Sequence, residues 1–302
     1  MKYDLAITYT WIYDIEFTQL IEKLFQENRF TTFIINRANI DEVTELVKEN
    51  KLFFKAYLDR ASDVDDNFSE LVNLLTNLGC RIINPHHNTL SATDKSVVQQ
   101  KLIENGLKLP KTIIVPPYDT KPGLDFSDEI FNHIGSPFII KPAYYSGGGE
   151  GVKKSASSFE EIEIARKENS DDSYLLQEKI HPVSRGGHRA WFRVLWAFGK
   201  IIPMLWDDEK LFYSDDEVAN IFPDVLQRIN LYMNKIFEVA QLDYFSSEFA
   251  LTDDNELFLI DYVNDQCDMR LKSNHPDGVP DKIVIQFVEE LMRFVRNANP
   301  LQ

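Results

Sequence analysis

Two groups of residues in this chain could do chemistry: a lysine followed closely by glycines, and a pair of acidic residues planted in apolar strands. In the run Pro137-Phe-Ile-Ile-Lys141-Pro-Ala-Tyr-Tyr-Ser-Gly147-Gly148-Gly149-Glu-Gly151-Val152, Lys141 ends an apolar stretch and a four-glycine loop follows. Glycine has no Cβ, so its backbone N–H groups approach phosphate oxygens closely and take positive φ without steric cost. Lys141 adds a point charge, and the whole suits a hairpin that covers a polyphosphate. The order differs from that of a P-loop, where the lysine follows the glycines and a Ser or Thr opens a helix. Here Val152 begins a return strand. Taken alone, the loop also fits a glycine-rich hairpin turn that binds nothing.

The acidic pair is Glu248, in Phe245-Ser-Ser-Glu-Phe-Ala-Leu, and Asp261, in Leu257-Phe-Leu-Ile-Asp-Tyr-Val-Asn264, joined through the turn-forming Asp253-Asp254-Asn255. Strands paired across that turn bring both carboxylates to one face, inside apolar sequence where an isolated charge is costly. A cation resolves the cost. Magnesium prefers hard oxygen ligands, so Glu248, Asp261 and the amide oxygen of Asn264, with phosphate and water, make a two-metal platform. The competing reading is a pair of acids on a solvated sheet face.

With 302 residues, 44% of them hydrophobic, the chain can bury one large core or two to three smaller ones. Its 32 basic and 48 acidic residues give a net charge of −16, the wrong sign for nonspecific attraction to nucleic acid or anionic lipid. A phosphate site must therefore be locally basic. No apolar run approaches the roughly 20 residues that span a bilayer, and the N-terminus reads as a strand, not a cleavable signal. Cys80 and Cys267 stand far apart in no metal-ligand spacing, which argues against a disulfide framework or zinc site and for a reducing cytoplasm.

Elements that must position these groups follow from periodicity. The first ninety residues alternate short apolar runs with helical patterns, which predicts a parallel sheet with crossover helices. No G-x-G-x-x-G follows the first strand, so no dinucleotide fingerprint is present. Residues 84–95 read as a loop rich in turn formers and as a domain junction, leading into a helix that ends at Asn105-Gly106. Ser127 to Ile134 reads as a short helix, and Ser158 with Glu161 as a capping box. The second half predicts antiparallel strands with turns at Gly199-Lys200 and Asp253 to Asn255, a helix near Asp224 to Gln241 and a closing amphipathic helix from Asp281 to Asn297. Trp191, Trp196 and Trp206 alternate on strands and read as core aromatics. His86, His87 and Cys267 receive no site role.

These residues resemble the ATP-grasp superfamily over nearly the whole chain, with several motifs in the family's order. Ser91-Ala-Thr-Asp94-Lys95 looks like the family's Asp-Lys segment, whose lysine contacts nucleotide phosphate. The resemblance makes Lys141 the second phosphate lysine and Gly147, Gly148, Gly149 and Gly151 the mobile flap. Gln177-Glu178-Lys179-Ile180 is similar to the interlobe hinge that holds adenine and ribose. Arg193 matches the arginine opening the family's central hairpin, and Glu248, Asp261 and Asn264 match the magnesium ligands. Three departures stand out. The asparagine comes three residues after the second carboxylate where two is common; Trp191 stands where an acid is common; and Trp206-Asp207-Asp208 replaces a basic residue after the central hairpin. Arg270 is the candidate for that missing charge, with a surface ion pair as the alternative.

The resemblance implies an α/β (α+β overall) architecture: an N-terminal parallel-sheet pre-ATP-grasp domain over residues 1–92, then a two-lobed ATP-grasp domain over 93–302. The nucleotide lobe would span about 110–180 and the metal-binding lobe about 181–302. It implies an ATP-dependent ligase using Mg2+, two ions in the family's manner, that joins a small-molecule or peptide carboxylate to an amine or thiol through an acyl phosphate. The alternatives are a kinase that phosphorylates a hydroxyl and a nucleotide-holding module without turnover. No nucleic acid or membrane partner is expected, and the apolar N-terminal helices could bury a second copy in a homodimer.

Overall fold

The computed structural model describes residues 1–125 and 129–298. Strands β1 (Lys2–Thr8), β2 (Thr32–Ile35), β3 (Phe53–Leu58) and β4 (Arg81–Ile83) alternate with helices α1 (Asp14–Glu27), α2 (Ile40–Lys48) and α3 (Ser69–Asn77). The strands form the expected parallel sheet, in the order β2-β1-β3-β4. Successive side chains leave opposite faces. Leu5 and Ile7 pack with Phe17, Ile21 and Phe25 of α1, which recur at helical spacing, whereas Ala6 and Tyr57 pack with Val43 and Val47 of α2 and Leu71 and Leu75 of α3. Burial on both faces explains why these strands read as nearly continuous apolar runs.

The stretch 84–95, expected as a loop, is instead mostly helical: α4 covers His86–Thr93 and α5 covers Lys95–Glu104. Pro85 stands just ahead of the first helical residue, where a missing N–H is tolerated. Ala92 reaches the core shared with Phe245 and Leu259, and this tertiary burial outweighs the turn-forming composition.

Strands β5 (Thr112–Val115), β6 (Phe138–Pro142), β7 (Lys153–Ala156) and β8 (Tyr174–Glu178), with helices α6 (Glu129–Ile134) and α7 (Phe159–Arg166), form the next layer. Ser127 and Asp128 of the helix expected from Ser127 lie outside the described residues. The strands pair antiparallel in the order β5-β8-β6-β7. A short ribbon, β9 (Ser184–Arg185) and β10 (His188–Arg189), leads into β11 (Trp191–Ala197), β12 (Lys200–Asp207) and β13 (Phe212–Tyr213). Helices α8 (Val218–Ile221) and α9 (Leu226–Ala240) precede β14 (Tyr244–Leu251) and β15 (Leu257–Asn264), completing a sheet in the order β13-β12-β11-β14-β15. The β11–β12 turn is Phe198-Gly199, both at positive φ, as a tight two-residue hairpin demands.

Helix α10 (Asp281–Asn297) returns to the N-terminal sheet, where Phe287 lies 5.8 Å from Phe17 between ring centres. The apolar face of α1, expected to be available to a second copy, is thus covered in part within the chain. Among the described residues no helix is long and apolar enough to cross a membrane.

Candidate active site

Arg193, Glu248 and Asp261 stand in one row across three neighbouring strands: Arg193 is the register partner of Glu248, and Glu248 that of Asp261. Directly opposed residues share a face. Two irregularities in the β14–β15 ladder surround Asp261. On one side Glu248 pairs Asp261 while Phe249 pairs Leu259, so Ile260 is passed over in the register; its carbonyl accepts the Lys141 ammonium at 2.9 Å. Strict alternation from the buried Leu259 would have turned Asp261 into the core. On the other side Ser246 pairs Asn264, so the extra residue between Asp261 and Asn264 is absorbed and Asn264 returns to the face of Asp261. The three-residue spacing that departs from the family pattern is therefore compensated by a bulge, a device that re-aims side chains beside active sites.

The two lysines arrive from separate elements. Asp94 caps α5, accepting from Ser96 N at 2.9 Å, and Lys95 N donates to the Ala143 carbonyl at 3.1 Å, which ties the helix start to the end of β6. Lys95 Nζ then lies 3.3 Å from Asp261 Oδ1. Lys141, 6% exposed, lies 5.0 Å from the centre of the Tyr262 ring. Burial pushes Lys141 down to about 8, Asp261 opposing the shift and Lys95 reinforcing it. Burial alone would raise the Asp261 carboxyl, yet Lys95 and Lys141 outweigh it and hold Asp261 below the usual carboxylate range. In a chain of net charge −16, three cations here face two carboxylates, the local basicity that a phosphate site requires.

Arg193 is held on every side. Its Nε donates to Glu248 Oε1 at 2.9 Å, its Nη2 donates to the same oxygen, and its Nη1 donates to the Tyr213 hydroxyl at 2.8 Å. The guanidinium also stacks on Trp206, 4.3 Å from the ring centre. Three of its five donors are thus engaged within the protein, and its position is that of a brace for Glu248.

The glycine loop is anchored by a residue outside the motif. Asp172 accepts from the Tyr144 and Tyr145 backbone N–H groups at 2.9 and 3.1 Å, fixing the chain just before the glycines. Burial raises the Asp172 carboxyl. Gly148, Gly149 and Gly151 all take positive φ, and a Cβ on Gly151 would stand 2.8 Å from Pro142 Cγ. Tyr144 and Tyr145 are exposed beside the glycines.

On β8, Gln177 turns inward: its Nε2 donates to Thr112 Oγ1 and to the Tyr262 hydroxyl, which in turn donates to Gln99 Oε1. This network ties β8 to β15 and α5. Glu178 accepts from Lys111 N at 2.9 Å, and Lys179 donates to Ser155 Oγ at 3.0 Å. Glu178 and Lys179 line a cavity of about 310 Å³ with Lys111, His133 and His181; none of Lys95, Lys141, Glu248 or Asp261 reaches it.

Among the described residues, no hydrogen bond, ion pair or ring contact draws Arg270 into this cluster. It pairs with Asp268 and with Asp277, at 2.8 and 2.9 Å, and lies 5.8 Å from the ring centres of Trp11 and Tyr13. Trp191, expected as a core aromatic, is corrected by its contact: its indole Nε1 donates to Glu248 Oε2 at 2.8 Å. Trp191 and Arg193 are two apart on β11 and share a face, a signal that was available from spacing alone. Asp172 and Tyr213 carried no comparable signal.

The sequence matches no protein-family model, and no curated protein matches it either. Solved structures do match in fold. D-alanine–D-alanine ligase from Bacillus anthracis complexed with ATP superposes with a TM-score of 0.65 at 15% identity, covering 99% of each chain. A RimK domain ATP-grasp protein from Sphaerobacter thermophilus gives 0.62 at 14% identity over 97% of this chain and 100% of that one. The ATP-grasp ligase PsnB, complexed with a minimal precursor, Mg and ADP, gives 0.63 at 12% identity over 95% and 98%. The chain shares the fold of these ATP-grasp structures over 95–99% of its length.

Proposed function

We propose that the protein is an ATP-dependent ligase that joins a carboxylate to an amine or thiol through an acyl phosphate, releasing ADP and phosphate. The observation that supports this reading is the meeting of Lys95 and Lys141 with the Glu248–Asp261 pair, next to a glycine flap anchored by Asp172. Glu248 and Asp261 are hard oxygen donors side by side, Asn264 shares their face, and among the described residues the Asn264 amide has no protein partner. This donor set suits magnesium, which Glu248, Asp261 and Asn264 would hold together with phosphate oxygens and water. Magnesium, when bound, supplies Lewis acidity at the phosphate oxygens.

The protein's own part is positioning and electrostatics. Lys95 and Lys141 neutralise charge on the phosphates while a substrate carboxylate attacks the γ-phosphorus and ADP leaves; an amine or thiol then displaces phosphate from the acyl carbon. No protein nucleophile is needed, and the buried thiols Cys80 and Cys267, both pushed up to about 12 by burial, are poor ones. The glycine flap excludes water from the acyl phosphate. With Gln177 bound internally, adenine and ribose fall to Glu178, Lys179 and Ile180.

The test is ADP release in a matrix of carboxylate and amine or thiol substrates. Peptide carboxylates belong in the matrix, because one ligase of similar fold, PsnB, is complexed with a precursor peptide. ADP should appear only where both partners are present, with free phosphate as co-product, and Glu248→Gln should abolish it. Phosphate retained on an acceptor hydroxyl, or no ADP anywhere in the matrix, would overturn the ligase reading.

A further inference from the structure

We propose that Trp191 is a positioning residue that aims the metal-facing oxygen of Glu248. The proposal rests on the ligase reading for the presence of a metal and goes beyond it in assigning Trp191 a role. An ionised carboxylate offers two oxygens with about four lone-pair sites. On Glu248, Arg193 Nε and Nη2 both donate to Oε1 and fill that oxygen. Trp191 Nε1 fills one site on Oε2 at 2.8 Å. One site remains, on Oε2. A cation shared with Asp261 therefore meets Glu248 through that oxygen alone, and the indole N–H sets the direction of its remaining lone pair.

The backbone makes the arrangement rigid. Arg193 opposes Glu248 in register, and Trp191, two residues earlier, leaves the same face of β11. The Trp191 ring packs against the core that includes Leu195 and Met204, so the N–H is delivered by a side chain with little freedom. An acidic side chain at this position would confront Glu248 as a like charge; the indole donates a hydrogen bond and adds no negative charge. Groups that orient a ligating carboxylate typically change metal affinity by roughly 10- to 100-fold when removed.

The probe is Mn2+ binding to the full-length protein with a nonhydrolysable ATP analogue, read by electron paramagnetic resonance, with melting temperature measured in parallel. Trp191→Phe keeps an aromatic ring and removes the N–H. It should weaken Mn2+ binding by about tenfold at an unchanged melting temperature, and Trp191→His, which restores a ring N–H, should recover part of the loss. Wild-type affinity in the Phe variant overturns the proposal. A loss that the His variant does not recover, or one that tracks a fall in melting temperature, overturns it too, since either marks packing. If the wild-type protein itself shows no Mn2+-dependent binding of the analogue, the ATP-dependent reading fails together with the role of Trp191.

Discussion

Two ion pairs join distant parts of this molecule, and they are built to opposite standards. Arg60, just after β3, grips Asp14 at the start of α1 through two hydrogen bonds of 3.0 and 2.9 Å and adds a third to the Cys267 carbonyl at 3.0 Å; both side chains are almost wholly buried. Lys95 and Asp261 share one contact of 3.3 Å, and the Asp261 side chain is 34% exposed. Among the described residues, Lys141 beside them has only a backbone carbonyl as hydrogen-bond acceptor. In the first pair both Asp14 oxygens are taken by Arg60 and the two charges are sealed from solvent, although Arg60 Nη1 has no hydrogen-bond partner among the described residues. The second leaves donors and a carboxylate open on one side. Charges kept in an apolar setting with unfinished hydrogen bonding mark where a charged ligand belongs.

The largest expected effect is on the open pair. Lys141→Met should lower ADP formation by about 100-fold or more, the scale for removing a preorganised electrostatic contact, while the melting temperature stays level or rises because a desolvated charge is gone. A fall in stability with turnover preserved would reverse the comparison. Asp14→Asn should do the opposite: unfolding in urea should show a loss of about 3–5 kcal/mol, since it strands a buried guanidinium, with turnover of the folded fraction retained.

A pH titration gives the next effect. Below about 8 the folded and unfolded chains both hold the Lys141 proton, so this group adds no slope. Between about 8 and its ordinary 10.5 the unfolded chain binds more proton, so the contribution of Lys141 to stability rises with pH. Nucleotide affinity should run the other way, falling as pH rises through about 8 and losing that dependence in Lys141→Met. The smallest effect belongs to Arg270→Gln: its pairs with Asp268 and Asp277 are partly solvated, and removing them should change stability by about 1 kcal/mol or less. A steep rise in KM for the carboxylate substrate would instead return Arg270 to the site.

Most of what builds the open pair could be read from residue types. Lysine before a glycine cluster, and acids inside apolar strands joined by a turn, violate the local rules for stable strands, and such violations concentrate at functional sites. The parallel sheet and the closing helix followed from periodicity. What escaped was set by contacts between distant elements. Composition alone makes a loop of residues 84–95, although Ala92 finds a core made by residues far along the chain. The bulges around Asp261 have no sequence signature beyond the spacing to Asn264, which looked like a defect until the register of β14 explained it. Asp172 lies in a turn whose composition says nothing about the flap it anchors.

Helix α10 covers the same face of the N-terminal sheet as α1, with Phe287, Val288 and Leu291 packed against Leu5 and Ile7. Strands β1 to β4 therefore lack one of their walls until α10 has been synthesised. Nascent chains stalled before position 281 should display that sheet to chaperones and proteases, and a C-terminal nick should be felt as far away as β1.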